Sequence, residues 1–262
     1  MKKLKTKQKK KLKITLYLVL RILVIISLIG QAYRGNWNNV FLCILTLILF
    51  TLPTIVSKKF NIELPKTLEV IVYLFIYSAE ILGEIQNFYG IFVHWDTILH
   101  TLNGFIAASV GFSLIDILNH NPNFHINMTP AFASLVAFTF SMTIGVAWEF
   151  FEFAADRYLE KDMQKDTIVN KISSVKINQN GENIPIVIDN INKTVVYSNN
   201  DQNMLVIENG YLELGVNDTM KDLFVNFIGA FIFSIFGYLY VKNREGYLFT
   251  EKFLMHVKNK IE

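Results

Sequence analysis

Three apolar segments of the chain carry acidic, histidine and asparagine residues gathered at one end of each segment. A charged side chain at the centre of a bilayer costs roughly 2.5 kcal/mol or more, so such residues usually have partners and a function. Within each segment the polar residues lie three or four positions apart, which places them on one side of a helix. They are Asp96, His100 and Asn103 in the first segment, Glu149, Glu152 and Asp156 in the second, and Asp218, Asp222 and Asn226 in the third.

These carboxylates would repel one another if they met, because acids heavily outnumber bases at the ends of the three segments. Repulsion of this kind raises carboxylate pKa values or favours a bound cation. Oxygen ligands together with one imidazole suit Mg, Mn or Zn. The sequence therefore predicts a divalent-metal site, in which His100 is also the candidate for moving a proton. The predicted metal ligands are Asp96, His100, Glu149, Glu152 and Asp222, and the predicted supporting polar residues are Glu80, Glu84, Asn103, Asp156, Asp218 and Asn226.

Two alternatives to a metal site remain open. The helix dipole stabilises carboxylates at a helix amino terminus, which would explain Asp96, Asp218 and Asp222 as simple caps. It would not explain Glu149 and Glu152, since both lie toward the carboxyl end of their segment. The second alternative is a purely structural hydrogen-bond network, because buried polar groups need partners whether or not a metal is present.

The polar ends of the segments are expected to meet at one membrane face, because successive segments run in opposite directions. Neighbouring ligands should then lie within about 4–8 Å of one another, which is close enough for coupled ionisation. Asn226 should point into the same cluster from one turn deeper. Gly104, Gly145 and Gly229 lie one or two turns below the polar residues, and small residues there would let the helices approach closely.

Composition indicates an all-α integral membrane protein. The 262 residues are 52% hydrophobic and include 22 phenylalanines, and a bilayer core of about 30 Å needs about 20 apolar residues in a helix. The prediction is a bundle of about six transmembrane helices with a small extracytoplasmic β-hairpin insertion. The six segments lie at residues 14–33, 38–56, 67–85, 96–118, 130–154 and 221–241.

Lysine and arginine residues set the expected orientation in the membrane. Eight lysines precede the first segment, and Lys58, Lys59 and Lys66 lie between the second and third. Short basic stretches beside membrane helices stay in the cytoplasm. We therefore expect both termini to be cytoplasmic in a bacterial cell membrane, with the basic termini against anionic lipid. No nucleic-acid partner is expected, because the amino-terminal lysine block continues directly into an apolar helix.

On this topology the chain divides into five parts. The loop contains the short runs VKI, IPIVI, TVVY and MLVI between Asn- and Gly-rich turns, which is typical of small hairpins. Such a sheet, at about 170–212, needs a surface to pack on. The five parts are a basic cytoplasmic arm (1–13), transmembrane helices one to five (14–156), an extracytoplasmic loop (157–219), the sixth helix (220–242) and a basic cytoplasmic tail (243–262).

Three sequence blocks resemble a known family. FYGIFVHWDTILHTLNGF, VAWEFFEFAADRYLEKDMQKD and GYLELGVNDTMKDLFVNFIGA are similar, in order and spacing, to signature blocks of the YjdF-like bacterial membrane proteins. More distantly, D-x-x-x-H at 96–100 and D-x-x-x-N-x-x-G at 222–229 resemble VanZ-like proteins, which are linked to glycopeptide-antibiotic tolerance at the cell envelope. The resemblance implies a multi-pass membrane protein and assigns no activity. It also implies that 170–212 is an insertion, because the interval between the second and third blocks is usually shorter.

Three functions remain open on the sequence. The first is a non-enzymatic envelope protein whose outer polar site binds a cation or a lipid head group. The second is an enzyme acting on a lipid-linked phosphate at the outer leaflet, where a metal would polarise a phosphoryl oxygen. The third is a cation transporter, but the inner halves of the last three segments offer little to carry an ion. No evident nucleophile supports the enzyme, so the first function is preferred.

Overall fold

A computed structural model describes residues 2–59, 61–119, 128–199 and 202–257, with side chains from Thr15 onward. The described part leaves out the side chains of the basic arm, the loop 120–127 and the tail beyond Val257. The predictions for these residues stay predictions. The helices are α1 (Lys2–Tyr33), α2 (Trp37–Leu49), α3 (Leu52–Lys59), α4 (Lys66–Tyr77), a π-helix (Ser78–Ile85), α5 (Phe88–Ile91), α6 (Trp95–Asn119), α7 (Pro130–Leu159), α8 (Val216–Lys242) and a 3₁₀-helix (Leu248–Lys252).

Within the described residues, five helical stretches are long and apolar enough to cross a membrane. This agrees with the prediction of a mainly helical membrane protein. The five stretches are Thr15–Tyr33, Trp37–Lys59, Trp95–Asn119, Pro130–Leu159 and Val216–Lys242.

Two of the predicted segments differ from simple α-helices. The second, 38–56, is divided between α2 and α3, and Pro53 occupies the first turn of α3, where the missing proline N–H costs little. The third, 67–85, consists of α4 followed directly by the π-helix. It is not among the five apolar stretches, so a sixth crossing stays a prediction.

The ends of α7 and α8 have local causes in the sequence. Pro130 occupies the first position of α7, where its fixed φ angle favours a helix start. Glu160 adopts a left-handed conformation with φ 53° directly after α7 ends. The Glu213 carboxylate accepts hydrogen bonds from the N–H groups of Val216 and Asn217 at 2.7 and 3.2 Å, which satisfies two free donors at the start of α8.

The chain divides into two compact units, Met1–Trp148 with Asp222–Glu262, and Glu149–Lys221. In the first unit, one core cluster joins α6, α7 and α8 through buried side chains that include Phe112, Ala137 and Phe233. A second cluster joins α1, α2, α4 and the π-helix and includes Cys43 and Phe50. Part of the apolar surface of these helices therefore packs against neighbouring helices.

A short strand pair also belongs to the first unit. Strand β1 (Ile62–Glu63) pairs antiparallel with β8 (His256–Val257), so the loop before α4 lies beside the tail that follows α8. Buried Ile62, Leu68 and Met255 pack together beneath this pair. The Met255 N–H donates to Ser113 Oγ at 2.9 Å, which attaches the tail to α6.

The second unit contains three antiparallel strand pairs. The first pair, β2 (Thr167–Val169) with β7 (Tyr211–Glu213), joins the two ends of the long loop. The others are the pairs β3 (Ile172–Ser174) with β4 (Ile186–Ile188) and β5 (Lys193–Ser198) with β6 (Asn203–Glu208). Three of the four predicted runs form strands: IPIVI contributes to β4, TVVY to β5 and MLVI to β6.

The fourth run, VKI at 175–177, was wrongly predicted as a strand. The strand ends at Ser174, whose Oγ accepts a hydrogen bond from the Lys176 N–H at 3.0 Å. The Asn178 N–H then donates to the Val175 carbonyl at 3.0 Å. These local bonds turn the backbone, which removes the groups that a strand would need for pairing.

Candidate functional site

Three of the five predicted metal ligands lie together in the first unit. Asp96 is in the first turn of α6, His100 is one turn later, and Asp222 projects from α8. His100 Nε2 lies 3.4 Å from Asp96 Oδ1 and 3.5 Å from Asp222 Oδ2. The exposed fractions of these side chains are 14% for His100, 19% for Asp96 and 2% for Asp222. The cluster is therefore enclosed on the α8 side and partly open on the α6 side.

This geometry is compatible with a bound divalent cation. One ligand atom from each of Asp96, His100 and Asp222 lies within 4.8 Å of the other two. A cation with bonds of about 2.1 Å separates opposite ligands by at most about 4.2 Å, so the side chains would need to close by less than about 1 Å. Three protein ligands also leave coordination positions for water or another ligand. Without a cation, a protonated His100 could pair with both carboxylates.

A layer of polar contacts lies one turn below the cluster and joins three helices. Asn103 Nδ2 donates to Asn226 Oδ1 at 3.0 Å, and Asn226 Nδ2 donates to Met142 Sδ at 3.6 Å. Ser141 Oγ donates to the Gly104 carbonyl at 2.8 Å. Asn226 is 1% exposed. Its buried amide contacts both α6 and α7, which stabilises the layer beneath the cluster.

Two glycines let α6 and α8 cross with their backbones in contact. A Cβ atom on Gly104 would lie 2.1 Å from the Asn226 carbonyl oxygen, and one on Gly229 would lie 1.9 Å from the Thr101 carbonyl oxygen. Neither position has room for a side chain. The predicted close approach at these glycines is confirmed, and it brings Asp222 to Asp96 and His100.

Glu149 and Glu152 belong to the second unit, near the carboxyl end of α7. They are 5% and 8% exposed. Both are thus buried acids, as expected for residues with a partner. Their predicted role as metal ligands stays a prediction.

Asp156 and Asp218 bind the backbone of the loop in the second unit. Asp156 accepts hydrogen bonds from the N–H groups of Met163 at 2.6 Å and Gln164 at 2.8 Å. Asp218 accepts one from the Lys165 N–H at 2.8 Å, and Gln164 Nε2 donates to Thr219 Oγ1 at 2.6 Å. These contacts join the second sequence block, through Gln164 and Lys165, to Thr219 and Asp218 of the third block.

Carboxylates near this loop also affect one another. Burial, followed by the charges of Asp162, Asp156 and Glu213, raises the pKa of Asp166, and Lys165 opposes the shift. The acids of this part of the loop therefore have mutual electrostatic interactions.

Glu80 and Glu84 lie in the π-helix. Glu80 is 3% exposed, and its Oε2 has no hydrogen-bond partner in the described part of the chain. The Trp95 indole N–H donates to the Ser78 carbonyl at 3.2 Å, which joins the start of the π-helix to the start of α6. π-helical turns occur frequently at functional sites, so this segment is a candidate support for Asp96.

Sequence reasoning did not assign Trp95, Ser141 or Met142 to the site. Their positions in the sequence offered a signal for two of them. Trp95 directly precedes Asp96, and Ser141 lies one helical turn before Gly145, where helices were expected to approach closely. No sequence rule would identify Met142 as a hydrogen-bond acceptor for Asn226, because a thioether accepts hydrogen bonds only weakly.

The comparisons with known proteins agree with a membrane location. A family model described as "Predicted membrane protein (DUF2238)" matches residues 12–243, and this is the YjdF family. An uncharacterized protein of Thermotoga maritima is 28% identical over 107 residues, which are 41% of this chain and 53% of that protein. The chain thus spans about half the length of this curated relative. No solved structure matches the chain. The chain belongs to the membrane protein family DUF2238.

Proposed function

We propose that this membrane protein binds a divalent cation at the cluster of Asp96, His100 and Asp222. The observation that supports the proposal is that ligand atoms from two membrane helices lie within 4.8 Å of one another. Two acids on either side of one imidazole are stabilised by added positive charge, which Mg, Mn or Zn would supply.

The proposed orientation has both termini in the cytoplasm of a bacterial cell and the loop 157–219 outside. The distribution of lysines along the chain favours this orientation in the membrane. On this orientation the cluster lies at the outer face, because α6 begins there with Asp96. A cation held at this face would have open positions for a phosphate oxygen of a lipid head group. The more distant likeness to VanZ-like envelope proteins remains part of this proposal.

The pairing of β1 with β8 supports six crossings. These strands lie beside each other, so the chain between them must cross the membrane an even number of times. Helices α6, α7 and α8 account for three crossings, and residues 66–85 would supply the fourth. Those 20 residues would be about 30 Å long if they were wholly α-helical, which is near the thickness of the bilayer core, and the π-helix at Ser78–Ile85 makes them somewhat shorter.

Thermal unfolding in detergent tests the cation site. Mass action requires a cation at 100 times its Kd to stabilise the folded protein by about 2.7 kcal/mol. We therefore expect the unfolding temperature to rise with Mg, Mn or Zn and to fall with a chelator. Asp222→Asn should abolish the rise, because it removes a ligand charge while keeping the side-chain shape.

Asp189→Asn is the matched control, since Asp189 pairs with Lys171 on the exposed surface of the second unit. It should retain the full cation response. Glu149→Gln and Glu152→Gln belong in the same series, because the sequence predicts both as further ligands. If none of the three cations shifts unfolding of the unaltered protein between mildly acidic and neutral pH, the cluster is a proton-sharing network and the proposal fails.

A further inference from the structure

An apolar groove runs along the surface between the first half of α7 and the second half of α8. Its volume is about 480 Å³, within the range of about 300–1,000 Å³ that is usual for small-molecule sites. Rings of Phe138, Phe227 and Phe231 form much of its wall. Phe227 contacts Phe138 edge-on at 5.1 Å between ring centroids and stacks with Phe231 at 6.1 Å, so the wall is well packed.

Two serines break the apolar lining of this groove. Ser134 and Ser234 both line it, and each is 8% exposed. Neither Oγ has a hydrogen-bond partner in the described part of the chain. A buried hydroxyl without a partner is destabilising, and both serines line the groove. An occupant with hydrogen-bond acceptors at this level would remove that cost.

A positive charge lies at one end of the groove. Tyr238 lines the groove one helical turn after Ser234, and Lys242 Nζ lies 5.0 Å from the centre of the Tyr238 ring. The lysine side chain thus extends back along α8 toward the groove. Lysine and tyrosine at the end of a membrane helix mark the boundary between hydrocarbon and head groups. Along its length the groove therefore has apolar walls first, then the two serine hydroxyls, and then the charge of Lys242 at its end.

We infer that this groove binds one anionic glycerophospholipid. Its acyl chain would lie against the phenylalanine rings, its ester carbonyls would accept hydrogen bonds from Ser134 and Ser234, and its phosphate would contact Lys242. The cation at the end of the groove favours an anionic head group over a helix of a second copy. On the orientation proposed above, the site faces the inner leaflet, where anionic lipids attract basic residues.

Native mass spectrometry of detergent-purified protein tests this inference. Phosphatidylglycerol should be retained at least tenfold better than phosphatidylcholine with the same chains. Ala131→Phe should remove most of this binding, because Ala131 lines the groove and a ring there would fill it. Ala147→Phe is the matched control on an exposed position of α7 and should bind as the unaltered protein does.

A second pair of variants tests the charge without changing the groove. Lys242→Gln should reduce the preference for phosphatidylglycerol several-fold, whereas Lys252→Gln, at an exposed residue of the 3₁₀-helix, should leave it unchanged. Equal retention of both lipids, or full retention by Ala131→Phe, would overturn the inference. So would efficient disulfide dimerisation in membranes of Leu135→Cys made in a Cys43→Ser background, because it would show that a second copy occupies the groove.

Discussion

At the residue scale, aspartates with the same helical spacing take part in two kinds of contact. Asp96 and Asp222 lie beside an imidazole in the first unit, whereas Asp156 and Asp218 accept hydrogen bonds from backbone N–H groups in the second. A carboxylate that accepts hydrogen bonds from backbone amides already has partners and has less need of a cation. This difference separates the proposed cation ligands from the residues that shape the loop.

Asp156→Ala should loosen the loop in the second unit. It removes two charge-assisted bonds and leaves the N–H groups of Met163 and Gln164 without their acceptor. Hydrogen bonds to charged groups contribute about 1.5–3 kcal/mol, so limited proteolysis of 160–166 should accelerate by at least about tenfold. Asp162→Ala, at an exposed residue of the same loop, should change the rate little. Equal rates for both variants would contradict the assigned role of Asp156.

At the element scale, the crossing of α6 and α8 decides whether Asp96, His100 and Asp222 meet. The Gly229 Cα approaches the α6 backbone so closely that an added Cβ would lie 1.9 Å from the Thr101 carbonyl oxygen. Real Cβ contacts essentially never fall below 3.0 Å. Any side chain at this position must therefore push the two helices apart and separate Asp222 from His100.

Gly229→Ala should lower both stability and cation response. Overpacking usually costs about 1–3 kcal/mol, and the wider helix spacing should also remove the unfolding shift produced by Mg, Mn or Zn. Gly30→Ala is the control, because no atom lies within 4 Å of a Cβ placed there and alanine favours a helix. A Gly229→Ala protein with unchanged stability and cation response would show that the crossing does not hold the cluster.

Hydropathy predicted the positions of most long helices, because the bilayer requires about 20 apolar residues for each crossing. It did not predict that α2 and α3 would separate near Pro53 or that 78–85 would form a π-helix. Apolar content is almost the same in an unbroken helix, an interrupted helix and a π-helix. The choice between these depends on specific contacts, such as the bond from Trp95 to the Ser78 carbonyl.

The candidate site was predictable in part for a related reason. Helical periodicity puts Asp96, His100 and Asn103 on one side of α6, and glycine positions indicate where helices can approach. Periodicity does not say which neighbouring helix faces that side. It therefore could not distinguish Asp222, which lies beside His100, from Asp218, which binds the Lys165 N–H.

At the scale of the whole molecule, the β1–β8 pair constrains the topology more strongly than any single helix. It holds the loop before α4 against the tail after α8, and both stretches are adjacent to lysines. Two basic stretches beside each other agree with the proposed cytoplasmic location of both. The same pairing supports the proposed crossing by residues 66–85, although Glu69, Glu80 and Glu84 lower the hydropathy of this stretch.

Cysteine labelling in a Cys43→Ser background tests this topology. Glu63→Cys in β1 and Lys252→Cys after α8 should both be protected from a membrane-impermeant maleimide in intact cells, whereas Met204→Cys in β6 should react. All three positions are exposed, so protection would report the membrane and not burial. After permeabilisation all three should react, because the membrane no longer excludes the reagent. Reaction of Glu63→Cys but not Lys252→Cys in intact cells would mean that residues 66–85 do not cross the membrane. Reaction of Lys252→Cys would place the tail outside the cell. The cluster of Asp96, His100 and Asp222 would then lie at the inner face.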